Sequence, residues 1–348
     1  MNLGRWHNLS ALENLIACAK GYEVSFPSRQ AAWRWCTRMK SIAAAASLSY
    51  ALLMRRLHAD FMLLFIAAIW GLAFVFQKTA MAHIGPFLFL AARSILAAVT
   101  LSYPGRAESR KLGSRPPAGF WIISCVGGVS FFLGGILQQI GLVTATVTNT
   151  GFLTGLYVVI TPLLMWGILS KAPRFYVWAA VVLAFSGTWL LGGGTLQGFS
   201  RGDWLVALSA LFWSAHMLIV AHAARYARPI GFTAMQFGVV ALLSLLGAGI
   251  FETISVSALW AAWPEIAYVG FLSSALTFTL LAVALQHTPA AEATILVSME
   301  TLFAALCAAM LLGETLAPIG WVGASMMFAA TLVVQAAPTV LNTRKRGQ

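Results

Sequence analysis

Residues 61–81 read FMLLFIAAIWGLAFVFQKTAM, and residues 204–224 read WLVALSALFWSAHMLIVAHAA. Each run is long enough to cross about 30 Å of hydrocarbon as a helix rising 1.5 Å per residue. Each is preceded by an aspartate, Asp60 or Asp203, and each holds a tryptophan at its tenth position, Trp70 or Trp213. The two runs therefore sit 143 residues apart in a common register. The same shift pairs Pro86 with Pro229, Phe89 with Phe232, Gly127 with Gly270 and Ser130 with Ser273. It also pairs Trp178 with Trp321, Phe185 with Phe328 and Thr188 with Thr331. Leucine and alanine matches mean little in so apolar a chain, but matches of rarer residues at one offset point to a duplication.

Working outward, ten apolar runs emerge: 61–81, 86–104, 119–143, 147–169, 175–194, 204–224, 229–251, 263–285, 290–312 and 318–337. The chain is 60% hydrophobic and only 9% charged, a balance that a bilayer can accommodate and a soluble domain cannot. The expected fold is an all-α integral membrane protein of ten transmembrane helices. Five runs make up each copy, and because five is odd the second copy enters the bilayer from the opposite side. The expected architecture is two inverted five-helix repeats about a pseudo-two-fold axis in the membrane plane, which suits alternating access to a central site.

The net charge of +12 does not point to nucleic acid, because the basic residues lie in loops and tails between apolar runs. With the N-terminus inside, nineteen Lys and Arg fall on the inner side and one, Arg201, on the outer side. This asymmetry predicts both termini in the cytoplasm. The expected divisions are a non-spanning extension over 1–57, with Met54 as a natural start within it, a first repeat over 58–195, a second over 203–337 and a basic cytoplasmic tail over 338–348. Cys18, Cys36, Cys125 and Cys307 show neither disulfide nor metal spacing.

Several stretches resemble the EamA family of the drug/metabolite transporter superfamily. Ala67-Ala68-Ile69-Trp70-Gly71-Leu72-Ala73-Phe74-Val75 resembles its first-helix signature, and the stretch from Gly151 to Leu163 resembles the fourth helix of one bacterial branch. His287 to Ala291, Ser298 to Ala305 and the Leu312-Gly313-Glu314 turn resemble the matching part of the second half. The likeness covers about residues 60 to 337, and one departure is Trp213-Ser214 in place of a second Trp-Gly. The resemblance implies a carrier in the inner membrane that exports or exchanges amino acids or related metabolites, often by proton or gradient coupling. It implies no enzyme activity, metal or organic cofactor. Partners on this reading are a small-molecule substrate and the lipid bilayer, with protons as coupling ion and a homodimer left open.

A charge near the centre of a membrane helix costs on the order of 3 kcal/mol and needs a reason. Arg93 and Glu300 lie near the middles of their runs. Lys78 and Glu292 lie near ends, where snorkelling or access to water is the plainer reading. The 143-residue shift pairs Tyr157 with Glu300, Asn149 with Glu292 and Arg93 with Gln236, and such pairs belong near the repeat interface. The candidate substrate or coupling residues are Glu300, Arg93, Tyr157, Asn149, Glu292, Trp70, Trp213, His216 and Gln139. Each polar one could instead only bond across helices, and Glu300 could be a structural partner of Arg93 or Lys78. Within the superfamily, a drug or nucleotide-sugar carrier is the alternative. A membrane-embedded enzyme is disfavoured because His83, His216, His222 and His287 are scattered and no nucleophile motif accompanies them. The chain has no nucleotide-binding P-loop that would couple transport directly to ATP.

Overall fold

The computed structural model describes residues 56–194, 200–315 and 317–346, with the side chains of 169 and 338–346 left aside. The expected extension over 1–57, with its start at Met54, lies outside the described residues except for its last two positions. Among the described residues, nine helices are long and apolar enough to cross a membrane: α1 Arg56–Ala80, α2 Pro86–Lys111, α3 Ala118–Thr144, α4 Val147–Ile168, α6 Arg201–Tyr226, α7 Pro229–Phe251, α8 Trp263–Ala284, α9 Ala290–Leu312 and α10 Pro318–Ala337. Between α4 and α6 lies α5, Phe175–Leu191, which has 17 residues. At 1.5 Å per residue it spans only about 25 Å, and it is closed off by Gly193 and Gly194 at φ +92° and +68°. The all-helical membrane fold expected from the sequence is therefore present. Two boundaries differ from expectation. The first half of the loop read over 105–118 is helical, since α2 runs through Pro104 to Lys111. The tail read from 338 onward continues α10 as a helix to Arg346.

The helices pair as an inverted repeat requires. α2 packs most extensively on α7, α3 on α6 and α5 on α10, while α4 lies against α9. The α2–α7 pair carries matched caps. Glu252, just past the end of α7, accepts hydrogen bonds from the first amides of α2, Phe87 N at 2.8 Å and Leu88 N at 2.9 Å. Glu108, near the end of α2, accepts from the corresponding amides of α7, Ile230 N at 3.2 Å and Gly231 N at 2.8 Å. A carboxylate there meets two otherwise unpaired N–H groups and the positive end of the helix dipole, worth about 0.3–2 kcal/mol.

The Leu-Gly-Glu turn has the same use. Gly313 takes φ +70° to end α9, and Glu314 then accepts from Val147 N and Thr148 N, at 3.0 and 3.1 Å, at the start of α4. Lys78 does the complementary work at a C-terminus. Its Nζ donates to the carbonyls of Leu142, Val143 and Ala145 within 3.1 Å, satisfying the end of α3 with a cation where the dipole is negative.

Candidate functional site

The two mid-bundle helices, α4 and α9, change pitch at mirrored positions. In α4 the regular helix stops at Thr154 and resumes at Tyr157; in α9 it stops at Val297 and resumes at Glu300. Gly155 and Ser298 cap the two N-terminal halves and are themselves 143 residues apart. Tightened turns bridge the gaps, with Val159 N bonded to Leu156 O and Thr301 N to Ser298 O. The sequence reading of 147–169 and 290–312 as uninterrupted runs missed these breaks. Discontinuous helices at mid-membrane are where inverted-repeat carriers place their sites.

Tyr157 and Glu300 open the second halves of these helices and face each other. The Tyr157 hydroxyl donates to Glu300 Oε1 at 2.9 Å, with both side chains buried. Among the described residues no ion pair joins Glu300 to Arg93 or Lys78.

Both side chains line a central cavity of about 50 Å³ between the repeats, room for a few water molecules. Trp70, Phe131, Trp213 and Phe278 supply aromatic walls. Phe131 and Phe278 meet edge to face with centroids 4.8 Å apart, and Trp213 stacks on Phe278 at 6.3 Å. Polar groups interrupt this lining. Arg93, 4% exposed, reaches Gln77 Oε1 at 3.4 Å and lies with its guanidinium carbon 5.8 Å from the Phe131 ring centre. Gln138 donates to Thr154 Oγ1 at 2.7 Å, and His216 Nε2 lies 2.9 Å from Gln236 Oε1.

α8 contributes through a widened stretch. Residues Tyr268–Leu276 form a π-helical segment, an irregularity common at functional sites. The indole of Trp70 bonds to Ser273 O within it, at 3.0 Å, and to Thr277 Oγ1 just past it, at 2.7 Å.

Of the nine residues singled out in the sequence, six line this cavity: Glu300, Arg93, Tyr157, Trp70, Trp213 and His216. Gln139 is buried nearby, bonded through Nε2 to the Gln77 carbonyl at 3.3 Å, while its neighbour Gln138 takes the lining position. Asn149 and Glu292 lie elsewhere, in the first turns of α4 and α9. Asn149 is half-buried, its amide bonded to Thr146 Oγ1. Glu292 is buried rather than open to water, holding Arg56 and accepting from the Tyr176 hydroxyl at 2.6 Å. Asp60 lies beside it, accepting from Thr288 Oγ1 at 2.9 Å. Phe131, Phe278 and Ser273 were not singled out as site residues. An aromatic inside an apolar run carries no sequence signal that separates a cavity wall from a lipid face, whereas Ser273 was legible as the repeat-mate of Ser130.

The described residues contain no group of three or more His, Cys, Asp or Glu side chains able to hold a metal ion. The cavity lining offers hydrogen-bonding groups, charge and aromatic faces.

Comparison with known proteins agrees with this architecture. The model of the EamA-like transporter family matches residues 57–193 and again 200–335. An uncharacterized transporter of Archaeoglobus fulgidus is 30% identical over 285 residues, covering 80% of this chain and 86% of that one. The Bacillus subtilis uncharacterized transporter YwfM is 28% identical over 208 residues, 58% of this chain and 67% of its own. A solved structure described only as a crystal structure of protein shares the fold, with a TM-score of 0.65 over 82% of this chain and 99% of that chain at 17% identity. With two copies of the family's repeat together spanning most of its length, this multi-pass membrane chain belongs to the EamA-like transporter family of the drug/metabolite transporter superfamily.

Proposed function

We propose that the chain is a secondary transporter that moves a small metabolite, of the size of an amino acid, by alternating access around the central cavity. The observation that carries this reading is the Tyr157–Glu300 bond. It joins mirror-related residues of the two repeats at the breaks in α4 and α9, where two like halves that exchange shapes would pivot around a fixed site. A cavity of this size has to widen to admit a solute, and the breaks in α4 and α9 supply places for that movement. Glu300 serves as the proton-coupling group, because a buried carboxyl with no cation partner among the described residues is relieved of its charge by taking up a proton or has it balanced by a cationic ligand. Movement outward across the inner membrane follows the family resemblance. Both termini in the cytoplasm follow from the excess of Lys and Arg on that side.

The test uses purified protein in proteoliposomes loaded with single labelled amino acids and related metabolites. The expected result is counterflow of at least one solute, driven further by an imposed proton gradient. Counterflow without any response to the gradient removes proton coupling. Absence of flux across a broad metabolite panel, with folded protein shown to be inserted, overturns the transport reading.

A further inference from the structure

Two nitrogen donors in the cavity wall have no hydrogen-bond acceptor among the described residues. One is Arg93 Nε and the other is Trp213 Nε1, both shielded from solvent. They come from opposite repeats, Arg93 from α2 and Trp213 from α6, and both border one aromatic ring. The Arg93 guanidinium carbon lies 5.8 Å from the Phe131 ring centre, and Trp213 meets Phe131 edge to face at 4.9 Å.

Trp70 differs from Trp213 at this atom. The two tryptophans are repeat-mates, yet the Trp70 indole has two acceptors, Ser273 O and Thr277 Oγ1. The position that corresponds to Thr277 in the other half is Gly134, which lies directly under the Trp213 ring. Glycine brings no hydroxyl, so the second indole N–H lacks the counterpart of the Thr277 acceptor. The Arg93 position breaks the symmetry in charge. Its repeat-mate, Gln236, is neutral and sets its Oε1 against His216, whereas Arg93 is a cation whose side chain meets, among the described residues, Gln77 Oε1 at 3.4 Å and the Phe131 ring.

A buried donor without an acceptor is costly, and more so when it carries a charge. Two of them on one cavity call for an acceptor that arrives from outside. We propose that Arg93 and Trp213 together form the receptor for a carboxylate on the transported solute, so that the substrate is a small acid or zwitterion with an apolar body. The inference rests on the transport reading of the same cavity. A carboxylate matches a guanidinium fork and a single N–H donor at once. The aromatic walls Trp70, Phe131 and Phe278 take the apolar body, and the charge of Arg93 is neutralised in the bound state. Glu300, already held by Tyr157, stays outside this contact.

The test is isothermal titration of the protein in lipid nanodiscs with two matched probe pairs, 3-phenylpropionate against 3-phenylpropionamide and L-phenylalanine against L-phenylalaninamide. The acid of each pair is expected to bind about tenfold or more tightly than its amide. Trp213→Phe keeps the ring and removes the N–H. It should weaken the acid about five- to tenfold while leaving the amide within about twofold. Arg93→Gln should abolish the acid preference, and Arg93→Lys should keep part of it, since lysine restores the charge without the fork. Equal binding of acid and amide overturns the proposal. So does a Trp213→Phe variant that weakens both alike, or the failure of either acid to bind protein whose thermal transition shows it folded. Flux assays separate this failure from that of the transport reading. Amides carried as well as acids leave transport standing and remove the carboxylate receptor. Acid-selective binding without flux of any probe removes transport and leaves the receptor.

Discussion

Replacing Glu300 with glutamine separates coupling from architecture. Glu300 Oε1 accepts one hydrogen bond, from the Tyr157 hydroxyl at 2.9 Å, and glutamine presents a carbonyl oxygen in the same place. The bond survives in neutral form, so the cost to folding is the difference between a charge-assisted and a neutral hydrogen bond, about 1 kcal/mol. The variant should therefore insert and melt within a few degrees of the parent. It cannot release a proton. Gradient-driven flux in proteoliposomes should fall at least tenfold and lose its pH dependence, while simple counterflow persists. Tyr157→Phe is the companion change. It strips the hydroxyl from a buried carboxyl at a cost of about 1–3 kcal/mol, roughly five- to 150-fold in an equilibrium constant. It should move the midpoint of the pH profile without flattening it. A well-inserted Glu300→Gln protein whose flux keeps the parent's response to pH refutes the assignment. A variant that fails to fold and is rescued by neutralising Arg93 refutes it in another way, by making Glu300 a structural counter-ion.

Three further outcomes follow. Single cysteines in the 105–118 segment should resist a membrane-impermeant thiol reagent in whole cells, and those in the 195–202 segment should react; the reverse pattern overturns the cytoplasmic placement of the termini. Glu252→Gln and Glu108→Gln each weaken a carboxylate cap over two amides of the partner helix and should lower stability by similar amounts, about 0.5–2 kcal/mol each, read as matched drops in melting temperature in detergent. Gly141→Val puts a branched side chain against the backbone of Gly202 and the Val206 side chain, so it should force α3 and α6 apart and cost several kcal/mol, seen as loss of a monodisperse peak in size-exclusion chromatography.

The helices and their duplication were legible because membrane spans are written in long apolar runs, and because Asp, Trp and Pro recur at one offset. The same offset brought out Tyr157 with Glu300, the pair at the centre of the site. It also brought out Asn149 with Glu292, which lie far from the cavity, and the difference is geometric. An axis in the membrane plane sends each depth to its opposite, so only residues near mid-depth can touch their mates. Asn149 and Glu292 sit eight residues before Tyr157 and Glu300 on oppositely directed helices, which places them roughly 24 Å apart in depth. Depth along each helix was thus a usable filter, whereas the azimuth that puts Phe131 and Phe278 on the cavity was not. In helices apolar all round, no periodic pattern marks the inward face. The caps by Glu108, Glu252 and Glu314 were hidden for another reason, since each joins residues more than a hundred positions apart.

Those caps also set an order of events during synthesis. The start of α2 is closed by a carboxylate 165 residues later in the chain, and the start of α4 by one 167 residues later. At about 5–20 residues per second, the starts of α2 and α4 wait on the order of ten seconds for their partners. The start of α7 does not wait, because Glu108 has already been made when α7 arrives. The early half is therefore an unfinished template, and the late half completes it while being received by it.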